Sequence, residues 1–176
     1  EGSTVEVDET IYGRASTHPK GRRSKNTKIT NSAHKNVILS LVQRDGSVRS
    51  FHVAGSTVAE VIPIVQANIS KETALMTDKA QLYKFQLGSF ASHDAVDHSK
   101  AEYVRRVPDG PTIHTNTVEG FFSLFKRGMR GVYQHCKEKH LHRYLAEFDF
   151  RYSNRVALGV NDEDRAERAL KGIIGK

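Results

Sequence analysis

Three carboxylates stand where the local pattern fixes the side chain: Asp8 in an alternating run, Asp78 closing a short apolar run, and Glu119 in an amphipathic stretch. Oxygen ligands held on rigid elements are what a hard divalent cation and phosphoryl chemistry require. Glu119 lies in His114-Thr-Asn-Thr-Val-Glu-Gly-Phe-Phe-Ser-Leu-Phe-Lys126. There Val118, Phe122, Phe125 and Met129 recur at i, i+4, i+7 and i+11 and form one apolar helical stripe. Asn116, Glu119, Ser123, Lys126 and Arg130 share the neighbouring face, which sets one carboxylate among amide and cationic groups. Without chemistry, the same stretch reads as an ordinary amphipathic helix with a solvated polar face.

The elements that position these acids follow from periodicity. Residues 4–12 alternate apolar and polar, with Val5, Val7 and Ile11 on the inward side. Residues 37–43 read as a buried strand, Asp45-Gly46 as a hairpin turn, and residues 48–53 as the returning strand. Thr57 caps an expected helix over 58–69 with Val58, Val61, Ile62, Val65 and Ile69 as its stripe, although Pro63 removes one backbone donor from it. A strand at 74–77 runs into Asp78; a short helix is expected at 80–87 and a strand at 90–96. Pro108, Gly110 and Pro111 make 105–112 a loop. The Glu119 helix should end near Gly128 or Gly131, and a last helix at 137–155 carries Leu141, Leu145, Phe148 and Tyr152 on one stripe. The expected organisation is one domain over residues 1–155 and a charged tail over 156–176, a short helix or a frayed end.

Composition narrows the partners. The 176 residues carry 38% hydrophobic side chains, enough for a globular core, and a formal net charge of +7. A sequence pI near 9.6 favours an anionic partner such as nucleic acid. Residues 13–35 form an expected basic loop between the first two strands, with Arg14, Lys20, Arg22, Arg23, Lys25, Lys28 and Lys35 and no acid. The single cysteine, Cys136, excludes an internal disulfide framework and fits a reducing cytoplasm. Neither a signal peptide nor an apolar run of spanning length is present in these residues, so no membrane partner is expected. The chain begins at Glu1 rather than Met and is strand-like by Val5, as expected of a piece of a longer protein.

Other clusters read more simply. His93-Asp94 and Asp97-His98 suit edge or turn positions better than a metal site. His135, Cys136, His140 and His142 lack a paired CxxC, and a DNA-facing surface explains the histidines better than zinc does. No acid–base relay marks Cys136 as a nucleophile. Glu9 should point to the face opposite Asp8 and be solvated.

Three antiparallel strands followed by alternating helices and strands is the ribonuclease H-like arrangement, an α/β fold with a mixed central sheet flanked by helices. Within that order, Val5-Glu-Val-Asp-Glu-Thr, Thr77-Asp78, His98-Ser-Lys-Ala-Glu-Tyr-Val104, the segment from His114 to Gly128, and Lys139-His-Leu-His-Arg-Tyr-Leu-Ala-Glu-Phe-Asp-Phe-Arg-Tyr152 appear in sequence. Together they resemble the catalytic domain of ISXO-like insertion-sequence transposases, members of the DDE superfamily. The resemblance implies that Asp8 and Asp78 are the first two metal-binding aspartates. The third ligand is Glu119 or Asn116, with Glu119 favoured because a carboxylate binds a hard cation more strongly than an amide. Lys126 matches the family's lysine and would contact a DNA phosphate. It further implies two Mg²⁺ or Mn²⁺ ions, hydrolysis at element ends, and transfer of the freed 3′-OH into target DNA. The implied partners are double-stranded DNA and further copies of the chain in a synaptic complex. The implied location is the bacterial cytoplasm, at the nucleoid when bound to DNA. Arg127 and Arg130, with Arg22, Arg23 and Lys25 of the basic loop, are the further expected phosphate contacts. Members usually carry an N-terminal DNA-binding region, often a zinc ribbon, which these 176 residues do not include. Two other readings share the sequence features: a ribonuclease H-like nuclease or resolvase without strand transfer, and a catalytically idle DNA-binding remnant.

Overall fold

The computed structural model describes residues 3–13, 35–78, 88–108 and 110–172. The expected helix at 80–87, and Arg22, Arg23 and Lys25 of the basic loop, lie outside the described residues. A five-stranded mixed sheet has the order β3-β2-β1-β4-β5, built from β1 (Thr4–Tyr12), β2 (Asn36–Gln43), β3 (Val48–Val53), β4 (Ala74–Asp78) and β5 (Ser92–Val96). The first three strands pair antiparallel; β4 joins β1 in parallel, and β5 joins β4 in parallel. The expected α/β class and antiparallel meander are both present.

Side-chain alternation divides the sheet into two faces. On one, Val5, Val7, Val37, Leu39, Leu41, Val53 and Leu75 pack against Val61, Ile62 and Val65 of α1 (Val58–Asn68). Pro63 sits inside α1 on its exposed side. The opposite face carries α2 (Asn116–Gly128) and α3 (Leu141–Ser153). Ile38 packs there with Phe125, Met129, Leu141 and Leu145, and Val42 and Val48 pack with Val118, Phe121 and Phe122. All four residues of the expected α2 stripe are buried, and Phe121 joins them. At Gly128 an added Cβ would lie 2.5 Å from Cζ of Phe148, so glycine lets α3 close onto α2.

Strand β3 is an edge, and α3 covers it. Val48 N–H donates to Ser153 Oγ at 3.0 Å, and Ser50 donates its N–H and its hydroxyl to the two Asp149 carboxylate oxygens at 2.7 Å each. Supplying acceptors to edge donors blocks pairing with a foreign strand.

Three expectations change. Ile11 and Val58, expected on the inward stripes of β1 and α1, are exposed near the ends of those elements. The 105–112 loop is the tip of a short antiparallel hairpin, β6 (Val104–Arg106) with β7 (Thr112–His114). Its prolines and glycine lie in the turn between the strands, and the exposure of all three β6 residues leaves no hydrophobic alternation to read. The last helix is divided: a 3-10 turn at Glu138–His140 precedes α3, and another at Val156–Leu158 follows it. As expected, α2 ends at Gly128; a π turn over Met129–Tyr133 continues it. In the tail, α4 (Asp162–Lys171) is a regular helix, tied back by Arg165 to the Asn154 carbonyl and by Arg168 to the Asn154 side chain. No helix among the described residues is long and apolar enough to cross a membrane.

Candidate active site

The face that carries α2 also carries the acids. Val5 and Val7 point to α1, so Glu6 and Asp8 point the other way. On β4, Leu75 faces α1 while Met76 packs with Val96 and Ile113, which puts Asp78 on the face of Met76. Parallel register pairs Glu6 with Met76 and Val7 with Thr77. One residue further along both strands stand Asp8 and Asp78, side by side. Glu119, in the first turn of α2, faces the same corner.

The charges of Asp78 and Glu119 are both felt at Asp8. The Asp8 carboxyl is pushed up to about 7, first by burial and then by the charges of Asp78, Glu9 and Glu119, against one favourable hydrogen bond. That bond is the Glu9 N–H, 2.8 Å from Oδ1. Glu119 is half-exposed and its Oε1 accepts from the Thr115 hydroxyl at 2.9 Å, with His98 Nε2 3.3 Å away. His98 Nε2 also lies 3.2 Å from the Thr115 hydroxyl, so the three form one cluster. Asn116 is exposed at the first position of α2, and its backbone N–H donates to His114 Nδ1 at 3.3 Å.

The donor set suits a hard divalent cation: all three acids offer carboxylate oxygens, and Asp8 is burdened by the negative charge of its neighbours. Among the described residues, no three His, Cys, Asp or Glu side chains close around one point as a metal cage would. Glu119 is turned to Thr115 and His98, and like charges oppose a closer approach to Asp8.

What places α2 is a residue the sequence reading left without a role. Glu6 is fully buried and accepts from the backbone N–H groups of Thr117 (2.8 Å) and Val118 (3.0 Å) and from the Thr117 hydroxyl (2.8 Å). Arg44 Nε donates to it at 2.7 Å, and His114 Nδ1 stands 3.1 Å away. Arg44 also donates to the carbonyls of Thr112 and His114 at 2.7 and 3.0 Å. A carboxylate at the N-terminus of a helix satisfies orphan donors and meets the positive end of the dipole. Glu6 thus clamps the first turn of α2, and with it Glu119, to the strand that carries Asp8. The available signal was its place two residues before Asp8, on the same strand face.

Cations border the acids. Lys126 is half-buried; burial and then Arg130 push its ammonium down, while Asp8 pulls it up, so the amine lies within electrostatic reach of that acid. Lys126, Arg127 and Arg130, with Ser123 and Gly131, line an open groove of about 570 Å³. Cys136 is half-buried, and burial raises its thiol.

Residues 1–153 match a family model described as the ISXO2-like transposase domain. No curated protein and no solved structure matches the chain.

Proposed function

The chain belongs to the ISXO2-like transposase family, and on that footing we propose that the corner of Asp8, Asp78 and Glu119 cuts the DNA at element ends and joins it to a target. The observation that carries this reading is the half-buried Asp8 carboxyl, raised to about 7 beside two further acids on the same face. We read the sheet as ribonuclease H-like: its order is β3-β2-β1-β4-β5, with acids in β1, at the end of β4 and on α2.

Asp8, Asp78 and Glu119 would hold divalent magnesium or manganese ions, two by family resemblance, which supply Lewis-acid stabilisation of charge on entering and leaving oxygens. The strands carrying Asp8 and Asp78 keep two anionic oxygen donors at a fixed separation, and Thr115 and His98 hold the third acid. Lys126 places an ammonium within electrostatic reach of Asp8, where a phosphate of the bound strand would sit, and Arg127 and Arg130 extend that contact. In the first step a water oxygen attacks the scissile phosphorus, the bond to the 3′-oxygen breaks, and that oxygen takes up a proton. In the second, the freed 3′-OH attacks a target phosphodiester, forms a new P–O bond, loses its proton and releases a target 3′-OH. Each step exchanges one P–O bond for another, so no covalent enzyme intermediate is required.

The test is a strand-transfer assay on labelled element-end DNA with Mg²⁺ or Mn²⁺. Joined product supports the reading; nicking without joining leaves a nuclease; binding without nicking leaves an idle DNA-binding domain. Glu119→Gln should damage cleavage far more than Asn116→Ala. The reverse order would move the third ligand to Asn116 and make Glu119 a supporting group.

A further inference from the structure

A second basic region extends away from the acids. Lys137 stands just before the turn that leads into α3 and Lys139 within it, with Glu138 between them, and Arg143 lies in the first turn of α3; all three cations are exposed. Lys139, Arg143, His142 and Lys137 all act on His140, so they crowd one surface. The crowding runs against helix electrostatics. The N-terminus of α3 has no acid in its first turn, yet Lys139, His140, His142 and Arg143 gather where the dipole is positive. In α4 the order is the usual one, with Asp162, Glu163 and Asp164 in the first turn and Arg168 and Lys171 in the last.

This region continues from the catalytic corner. Lys126 lies within reach of Asp8, Arg130 and Lys35. Arg130 and Cys136 both act on the Tyr12 hydroxyl. Tyr12, Tyr133 and Cys136 pack on the same cluster as Phe125, Met129, Leu141 and Leu145, which fixes the start of α3 beside the end of α2. The cations therefore form a path from Lys126 through Arg127 and Arg130 to Lys137, Lys139 and Arg143. None of Arg127, Arg130, Lys137, Lys139 and Arg143 is ion-paired with another described residue. Arg44, Arg105, Arg151, Arg165 and Lys171 all are.

We propose that this path is a backbone track for duplex DNA, along which the turn before α3 grips phosphates beyond those at the acid corner. A row of cations that outnumbers its one acid, Glu138, and is placed where a helix end disfavours it, is relieved by a polyanion in the way further internal acids would relieve it. The contacts are to phosphates, so the track is indifferent to sequence. The identity of the partner rests on the DNA-cutting reading; the charge arrangement does not.

Lys139→Ala combined with Arg143→Ala tests the track in the full chain. Binding to a random-sequence duplex is measured by fluorescence anisotropy across a salt series in chelator. The log–log salt slope should fall by up to roughly 2 and affinity should drop about tenfold or more near 0.1 M salt. Thermal stability should hold or rise, because cations leave the positive end of α3. The paired cations Arg151 and Lys171, changed together to Ala, remove the same charge elsewhere and should leave the slope unchanged. An unchanged slope in Lys139→Ala/Arg143→Ala overturns the track, and so does an equal fall in the Arg151→Ala/Lys171→Ala control. A wild-type chain that binds but never nicks with Mn²⁺ would instead sink the proposed catalysis while the binding comparison still decides the track.

Discussion

Glu6 and Asp8 are carboxylates two residues apart on one face of one strand, and their surroundings are opposite. Glu6 takes donors from Arg44, from two backbone N–H groups and from the Thr117 hydroxyl, all of them inside the fold. Asp8 takes one backbone N–H and faces two other acids. A buried charge with its donors supplied ties elements together; a buried charge left short of donors is held ready for a ligand from outside. The fold places both within one turn of pleat, using the first to aim the helix that completes the second.

The largest contrast should appear in activity. Asp8→Asn, and equally Asp78→Asn, should reduce cleavage by about 10³-fold or more, roughly 4 kcal/mol in barrier, with a circular-dichroism spectrum like that of wild type. Full activity in either variant would remove the acid from the site. For Glu6→Gln the loss should fall on stability. An amide puts a donor against donors and leaves Arg44 without its partner, costing about 3 kcal/mol in urea unfolding. A Glu6→Gln chain as stable as wild type would mean that the clamp on α2 is dispensable.

The pH profile sharpens the comparison. In chelator, a carboxyl whose folded value is about 7 binds more protons in the native than in the unfolded state between about pH 4 and 7. The Asp8 contribution to stability is therefore present below that window, falls as pH rises through it, and levels off above. Asp149, raised by burial, acts with the same sign, and His93 and His114, lowered by burial, act with the opposite sign. The Asp8 part is thus the difference between wild type and Asp8→Asn, and near pH 8 the variant should be the more stable by roughly 4 kcal/mol. A constant difference between the two proteins from pH 4 to 8 would contradict the strained state of Asp8.

The smallest effect should come from His98→Ala. Thr115 still holds Glu119, so Mn²⁺ affinity measured by calorimetry should weaken about tenfold, while stability changes little. No change in affinity would confine His98 to packing.

Much of this corner was legible because it depends on period. Alternation put Asp8 opposite Val7, helical spacing put Glu119 beside Lys126, and the apolar run before Asp78 marked a strand end. Glu6 was not legible, since its partners Arg44, His114 and Thr117 come from segments that no local pattern links to β1. His98 read as a turn residue for the same reason: Glu119 and Thr115 reach it only after β7 and α2 are in place. The β6–β7 hairpin was hidden because its turn carries the prolines and one of its strands is wholly exposed.

The parallel pairing of β1 with β4 has a consequence for synthesis. Hairpins and helices form from neighbouring residues within microseconds, whereas this pairing waits for chain made much later. A nascent chain that has released only the first three strands carries one of the three acids, and release of β4 adds the second. The third arrives with α2, whose first turn must still find Glu6. The anionic corner is thus completed only once α2 has been made, and a chain that ends before α2 lacks the third acid of the proposed site.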